Sequence, residues 1–196
     1  MSEISASLVK ELREKTNAGM MDCKHALTES GGDLDGAEQI LRKKGIASAG
    51  KKTSRTAKEG SVASYIHLAG KVGVLVEVNC ETDFVAKNDI FREFVKDVTL
   101  HIAAANPIYI TREQVPQDLI ARERDIAAAL VLGKPANIIE KIVDGKMEKF
   151  FSTICLLEQP FIKNPEMTIK NLVDNASQKF GEKMEIGRFV RFSIKR

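Results

Sequence analysis

The stretch VGVLVEVNCETDFVAKNDIFREFVKDV, residues 72–98, changes its hydrophobic period halfway along. Its first nine residues are rich in Val and are typical of a buried strand. The second half and the residues just after it instead carry large apolar residues at helical spacing, namely Phe91, Phe94, Val95, Val98 and Ile102. Asn88 is a suitable N-cap for that helix. The stretch therefore predicts a strand, an exposed corner at residues 79–87 and a long helix.

The flanking segments predict two more strands. Residues 61–67 alternate between polar and apolar side chains, and Gly70 and Lys71 form a turn signal before the Val-rich run. Residues 188–194 alternate again near the end of the chain. The simplest arrangement is a three-stranded antiparallel sheet covered by helices, which is an α+β fold.

The rest of this core region predicts several helices. Pro116 suits the first turn of one helix, and Thr168 suits the N-cap of another. Gly145 interrupts a third helical segment, which leaves either one kinked helix or two helices. The predicted helical segments are residues 116–133, 136–155 and 168–181, and residues 160–165 predict a loop.

The first 45 residues predict a compact bundle of three short helices. An apolar stripe at positions i, i+4 and i+8 marks the first helix, carried by Ile4, Leu8 and Leu12. A tight loop with Met20 and Met21 follows. The second helix is predicted over residues 22–31 with Asp22 as its N-cap, and the third over residues 35–45.

After the bundle the sequence becomes small and basic. The cations of this stretch are Lys51, Lys52, Arg55 and Lys58. Such a composition is typical of a linker between domains. We therefore predict a helical domain at residues 1–48, a basic linker at residues 49–60 and an α+β core at residues 61–196.

The composition is that of a folded protein without a strong surface charge. A net charge of +3 is too small to indicate nucleic-acid binding by itself. Cys23, Cys80 and Cys155 form no C-x-x-C pair, which argues against a disulfide framework or a thiolate metal site and favours a reducing cytoplasm. No apolar run approaches the roughly 20 residues that cross a bilayer, and the N-terminus does not resemble a signal peptide. We predict a cytoplasmic protein without membrane contact.

Polar groups that could perform catalysis are scattered along the chain. His25, His67 and His101 form no metal-binding pair, and the sequence contains no glycine-rich dinucleotide motif and no phosphate-loop lysine. Cys80 falls in a predicted strand, where a small buried side chain is the commoner role. We therefore predict that the protein is not an enzyme and has no cofactor or metal of its own.

The corner between the strand and the long helix admits two interpretations. Thr82 or Asp83 can cap a turn while Phe84 and Val85 pack into the core. Alternatively, an aromatic ring beside a carboxylate on an exposed loop can anchor a partner protein, because aromatic residues are enriched among binding hot spots. Composition alone leaves both interpretations open.

Several stretches resemble the bacterial elongation factor Ts family, in a short form. The matching stretches are SLVKELR at 7–13, AGMMDCK at 18–24 and EVNCETDFVAK at 77–87, followed by GKP at 133–135, GKM at 145–147 and QPF at 159–161. They follow one another in order over nearly the whole chain. The resemblance implies an N-terminal helical bundle of the ubiquitin-associated (UBA) type, followed by the α+β core.

The resemblance also implies a function and the residues that carry it. The expected partner is elongation factor Tu in its GDP-bound form, from which a nucleotide exchange factor of this family promotes GDP release. Thr82, Asp83, Phe84 and Val85 match the wedge that disturbs the magnesium ion of that GTPase. Arg13, Met20 and Met21 match contacts of the N-terminal domain with the nucleotide-binding domain of the partner.

His67 resembles, more weakly, a histidine that contributes to the contact in longer family members. A histidine at a strand end is more often a solvated or structural residue. Methionines beside short helices are likewise more often core residues, although two adjacent ones cannot easily both point inward. We expect at least one of Met20 and Met21 to be exposed.

The chain differs from longer members, which carry a second copy of the core subdomain, a helical hairpin insertion and a C-terminal helix. We expect a homodimer, in which a second subunit supplies the absent half through the core domain. The alternative function is an RNA-binding module of translation, suggested by the basic linker and by the C-terminal cations Arg188, Arg191, Lys195 and Arg196. An exchange factor of this family needs no direct contact with nucleic acid.

Overall fold

The computed structural model describes residues 4–16, 18–52, 55–131 and 135–194. The chain divides into two compact units. The first unit comprises Met1–Gly60, Asn79–Asn88 and Val173–Glu185, and the second comprises Ser61–Val78, Asp89–Leu172 and Ile186–Arg196. The predicted domain boundaries at residues 48 and 61 stay a prediction.

The described residues contain every predicted helix and strand in order. The helices are α1 (Ala6–Thr16), α2 (Met20–Glu29), α3 (Leu34–Lys52), α4 (Asp83–Ala86), α5 (Asp89–Ala105), α6 (Gln117–Ala129), α7 (Ala136–Ile154) and α8 (Ile169–Phe180). The strands are β1 (Glu59–His67), β2 (Val72–Cys80), β3 (Pro160–Phe161), β4 (Asn164–Thr168) and β5 (Glu185–Ser193). Helix α4 and strands β3 and β4 were not predicted.

Helices α1, α2 and α3 form the predicted N-terminal bundle around a small apolar core. The fully buried side chains of this core include Leu12, Cys23, Ala26, Leu27 and Ala37. Gly31 and Gly32 have φ angles of 69° and 92°, which glycine adopts without a steric penalty. The amide of Gly32 then donates to the Leu27 carbonyl at 2.8 Å and closes the C-terminus of α2.

Two helix boundaries in the bundle were wrong in the sequence prediction. Helix α2 begins at Met20 with Gly19 as its N-cap, so Met20 and Met21 occupy the first helical turn rather than a loop. Helix α3 continues to Lys52 instead of ending at Gly45. A glycine costs a helix only about 1 kcal/mol, and the Ala and Lys residues that follow favour continuation.

Strand β2 is the centre of a three-stranded antiparallel sheet with the order β1-β2-β5, which confirms the predicted α+β class. Its even-numbered side chains, Val72, Val74, Val76 and Val78, are buried, as the period-2 geometry of a strand requires. The turn before β2 passes through Leu68, Ala69 and Gly70, all with positive φ angles. The predicted hairpin and final strand are therefore present.

Helices α5 to α8 supply the rest of the second core. The stripe predicted on α5 is buried, and α7 runs without interruption through Gly145, where nothing lies within 4 Å of an added Cβ. The predicted loop at residues 160–165 instead contains the short antiparallel pair β3–β4. Pro160 and Pro165 lack backbone donors and hid this pair from sequence analysis.

The three cysteines are free thiols, and each is buried. Within the described ranges, no helix has the length and apolar character needed to cross a bilayer.

Candidate functional site

The corner, residues 79–88, joins β2 to α5 through the single-turn helix α4. Thr82 is the N-cap of α4, and its hydroxyl oxygen accepts a hydrogen bond from the Val85 amide at 3.4 Å. The buried Cys80 thiol donates to the Thr82 carbonyl oxygen at 3.2 Å, and burial raises the pKa of Cys80. The Thr82 cap and the hydrogen bond from the Cys80 thiol together hold the start of α4.

Phe84 and Val85 project from different sides of α4. The Phe84 side chain is 83% exposed, whereas Val85 is 9% exposed. Successive helical residues are about 100° apart around the axis, so a single turn can bury one of them and project the other. The capping interpretation holds for Thr82 and Val85, whereas Phe84 is exposed, as the partner-anchor interpretation requires. Partner binding by Phe84 stays a prediction.

Val85 lies within the predicted wedge but is buried at the corner, with a side chain that is 9% exposed. Its contact with a partner stays a prediction. Thr82, Asp83 and Phe84 remain at the surface.

Asp83 stands next to Phe84 and forms an ion pair on the same turn. Its carboxylate Oδ2 lies 2.7 Å from the Lys87 ammonium nitrogen, four residues later. This hydrogen bond, with the positive charge of Lys87, lowers the pKa of Asp83 below its usual value. Asp83 therefore presents a negative charge and acceptor oxygens beside an exposed ring at neutral pH.

Two carboxylates tie the corner to the turn that follows α8. Glu182 accepts hydrogen bonds from the backbone amides of Glu81 and Thr82, both at 3.1 Å, and from the Thr82 hydroxyl at 2.6 Å. Glu81 in return accepts from the Lys183 amide at 2.6 Å. We call these hydrogen bonds of Glu81 and Glu182 the clasp. Sequence analysis does not reveal the clasp, because no local pattern links residues about a hundred positions apart.

The other predicted contact residues meet in a groove on the helical bundle. This N-terminal groove has a volume of about 480 Å³ and is lined by Ile4, Ala6, Val9, Lys10, Arg13, Met20, Met21 and Lys24. Met20 and Met21 are 58% and 61% exposed, so both are at the surface, where at least one was expected. The structure therefore brings Arg13, Met20 and Met21 together on a surface that combines apolar and cationic side chains.

His67 lies at the end of β1 in the second unit. Its Nδ1 is 2.9 Å from the Tyr65 hydroxyl oxygen, and the two rings stack with their centroids 5.6 Å apart. The residue is exposed. These contacts suit the structural role that was the commoner expectation.

One face of the three-stranded sheet carries large apolar side chains at the surface. Val62, Leu75 and Val190 line one groove of about 420 Å³. An added Cβ at Gly73 would lie 3.2 Å from the Ile66 side chain, which places Ile66 on this face as well. Phe192 follows Val190 by one strand period and is 72% exposed. We call these residues the sheet face.

Comparison with known proteins places this α+β chain in the class of translation elongation factors. A family model described as "Elongation factor TS" matches residues 46–196. The elongation factor Ts of Carboxydothermus hydrogenoformans is 58% identical over 193 residues, which cover 97% of this chain and 89% of that protein. The elongation factor Ts of Thermodesulfovibrio yellowstonii is 57% identical over 97% of this chain and 96% of its own length. That of Geobacter sulfurreducens is 56% identical over 97% and 89%.

The chain belongs to the elongation factor Ts family, and its role therefore lies in protein biosynthesis.

Proposed function

We propose that the chain is a guanine-nucleotide exchange factor that binds elongation factor Tu in its GDP-bound form and promotes GDP release. Membership of the elongation factor Ts family supports this proposal. The observation that carries it is the 83% exposure of Phe84 beside an ionised Asp83 on a corner that is otherwise held in place. An exposed ring forgoes the free energy that its burial in the chain's own core would give. Such a ring is typical of a residue that binds a partner protein.

The wedge acts on the magnesium ion of the partner, not on the nucleotide itself. A hard cation of this kind bridges nucleotide phosphates to protein oxygens. If Phe84 displaces a helix of the GTPase and Asp83 adds a negative charge nearby, the ion leaves and the phosphate charge is poorly neutralised. GDP then dissociates faster, and no covalent bond changes.

The N-terminal groove supplies the affinity that holds the wedge in place. Met20 and Met21 offer flexible thioethers that adapt to an apolar surface, and Arg13 adds a cation at its edge. In this proposal residues 1–48 dock on the nucleotide-binding domain, residues 49–60 connect, and residues 61–196 carry the wedge. The protein acts in the cytoplasm, where translation takes place.

Binding of this protein and binding of GDP with magnesium must oppose each other. If the exchange factor weakens the affinity of the GTPase for GDP by some factor, GDP weakens its affinity for the exchange factor by the same factor. Neither partner is consumed, so small amounts of the exchange factor suffice.

The direct test is release of fluorescently labelled GDP from elongation factor Tu. We expect wild-type protein to accelerate release in a concentration-dependent manner, and excess magnesium to reduce that acceleration. A release rate that stays at the intrinsic value at every concentration of the protein would reject the proposed function.

We further propose that two copies of the chain associate through the sheet face. Val62, Ile66, Leu75 and Phe192 are each between 47% and 72% exposed on this face, and contiguous apolar patches of this kind mark interaction sites. The aliphatic and aromatic residues alternate with inward-facing ones, so a second sheet can pack on them. Light scattering should show a dimer. A monomer with full exchange activity would contradict the proposal.

The alternative function, RNA binding, has less support from the placement of the basic residues. Arg55 lies 3.5 Å from Glu81, Arg188 lies 2.7 Å from Glu77, and Arg191 donates to the Ala103 carbonyl. Cations paired within their own chain are less available to phosphates. Lys195 and Arg196 fall outside the described residues. An RNA affinity that falls steeply with salt would revive this function.

A further inference from the structure

We propose that Glu182 is a positioning residue that sets the direction of Phe84 and Asp83 through Thr82. This inference rests on the proposed function, and it names a side chain about a hundred residues away from the wedge. Glu182 itself lies in the turn after α8 and acts on the wedge through hydrogen bonds to the segment that enters α4.

The Thr82 hydroxyl group is the link between Glu182 and the helix. A threonine hydroxyl has one hydrogen to donate and two lone pairs to accept with. Glu182 Oε1 takes that hydrogen at 2.6 Å. The hydroxyl is thereby held in one rotational state, with a lone pair available for the Val85 amide at 3.4 Å. Without the carboxylate, the hydroxyl could rotate and the cap would be lost for part of the time.

The second oxygen of Glu182 fixes the backbone before α4. It accepts the amide hydrogens of Glu81 and Thr82, each at 3.1 Å. Hydrogen bonds to an ionised acceptor are about twice as strong as those between neutral groups. The two bonds hold consecutive peptide planes, so they determine the direction in which the chain enters the single turn that projects Phe84.

The clasp is reciprocal, which makes it stiffer than a single contact. The Glu81 carboxylate accepts the Lys183 amide at 2.6 Å, so each of the two segments holds the backbone of the other. Arg55 lies 3.5 Å from Glu81 and offsets part of the negative charge. A four-residue helix cannot maintain its own orientation, because it has too few internal hydrogen bonds. The hydrogen bonds of the clasp therefore set the orientation of α4.

A positioning role predicts a specific kinetic effect. The wedge would still be present in a Glu182→Ala variant, but it would point in the productive direction for only part of the time. The N-terminal groove would still dock. We therefore expect the maximal rate of GDP release at saturating exchange factor to fall on the order of tenfold, while the half-saturating concentration changes by less than about threefold.

The experiment compares four full-length proteins in the labelled-GDP release assay: wild type, Glu182→Ala, Glu182→Gln and Glu185→Ala. Glu185 is the matched control, because it lies three residues on and pairs with the Lys183 ammonium at 2.8 Å. Glutamine keeps one oxygen for the backbone amides but loses the acceptor for the Thr82 hydroxyl, so Glu182→Gln should show a maximal rate between those of Glu182→Ala and wild type. Equal maximal rates for Glu182→Ala and Glu185→Ala would overturn the inference. Equal losses in the Gln and Ala variants would overturn the hydrogen-bond mechanism.

A second measurement separates this inference from the proposed function. Amide hydrogen exchange at Val85, followed by NMR without any partner, should be slow in wild type and Glu185→Ala and faster in Glu182→Ala. If wild type fails to accelerate GDP release, the proposed function is wrong. If the Val85 amide exchanges at the same rate in wild type and in Glu182→Ala, the proposed role of Glu182 is wrong, whatever the result of the release assay. If Glu182→Ala does not fold by circular dichroism, the decision passes to Glu182→Gln. Wild-type values in both measurements for that variant would overturn the inference.

Discussion

The corner and the N-terminal groove present their side chains by opposite physical means. At the corner, charge-assisted bonds as short as 2.6 Å hold the segment that enters α4, and a single aromatic ring projects into solvent. In the groove, two thioethers and three long cations lie at the surface of α1 and α2. A rigid projection can displace structure in a partner, whereas a soft groove adapts to a surface that is already there. Under the proposed function, the corner would therefore control the maximal rate of GDP release and the groove the affinity for the partner.

This division predicts that the two regions control different kinetic quantities. Changes at the corner should alter the maximal rate of GDP release, because they act on the displaced state of the partner. Changes in the groove should alter the concentration at which that rate is half reached.

The largest effect is expected from Phe84→Ala. Phe84 is 83% exposed, so its loss should leave folding intact. Burial of such a ring in a partner contributes about 1.5 to 3 kcal/mol, which corresponds to a roughly 10- to 150-fold lower maximal rate of GDP release. Ile108→Ala, which also removes an exposed apolar side chain, serves as the control. Unchanged kinetics for Phe84→Ala would remove the wedge from the mechanism.

A smaller effect, on a different quantity, is expected from replacing both Met20 and Met21 by Ala. The half-saturating concentration should rise about tenfold, because two exposed thioethers lose their contacts with the partner. The maximal rate should stay the same. Replacement of both by Leu, which conserves volume, should restore much of the affinity. A fall in maximal rate with unchanged affinity would break the proposed division of roles.

His101 in the second unit makes the stability of the protein depend on pH, which restricts the pH range over which these variants can be compared. Its Nε2 lies 2.9 Å from the Gln159 side-chain oxygen, and its Nδ1 accepts from the Ile162 amide, so the ring is neutral. Burial lowers the pKa of His101. Below about pH 6.5 the unfolded chain therefore binds more protons than the folded one, and the free energy of unfolding falls by up to about 1.4 kcal/mol per pH unit.

Urea denaturation at about pH 7.5 and about pH 5 measures this loss, which should persist in the control His67→Gln because His67 is exposed. The stability conferred by the neutral His101 ring is fully present above the unfolded pKa and is lost as the pH falls through the folded one. A free energy of unfolding that rises toward pH 5 would contradict the neutral ring.

The smallest effect is expected from Lys87→Met, which leaves Asp83 without its cation. The pKa of Asp83 should rise toward its usual value, because the hydrogen bond and charge that lower it are gone. NMR titration of the Asp83 carboxyl carbon measures this shift. The maximal rate at neutral pH should change little, since Asp83 stays ionised. An unchanged Asp83 pKa would show that the ion pair does not persist in solution.

Sequence patterns predicted the elements around the corner better than the corner itself. The Val run of β2 and the apolar stripe of α5 follow from simple periodicity, and both are present. Phe84 and Val85 occupy a single turn, which is too short to show a period. The backbone that leads into this turn is hydrogen-bonded to Glu182, which no local pattern could reveal. A contact between residues about a hundred positions apart therefore escapes any reading of local sequence.

The errors at helix ends arise from competing local signals. Asp22 is a good N-cap and so predicts a loop at Met20, but Gly19 with an extended backbone starts α2 two residues earlier. Gly45 predicts a helix end, although the neighbouring residues favour a helix enough to pass it. In both cases a local signal was real but a competing one was stronger. Groove and wedge residues themselves came from the family resemblance, not from periodicity.

The three buried cysteines can report when the structure around each of them opens. Cys23 lies in the bundle core, Cys155 in the core around α7, and Cys80 directly beneath the corner. A buried thiol with a raised pKa can be alkylated only when its surroundings open. Mass spectrometry of alkylated peptides would therefore time the opening of each site separately, without an attached probe and without the partner.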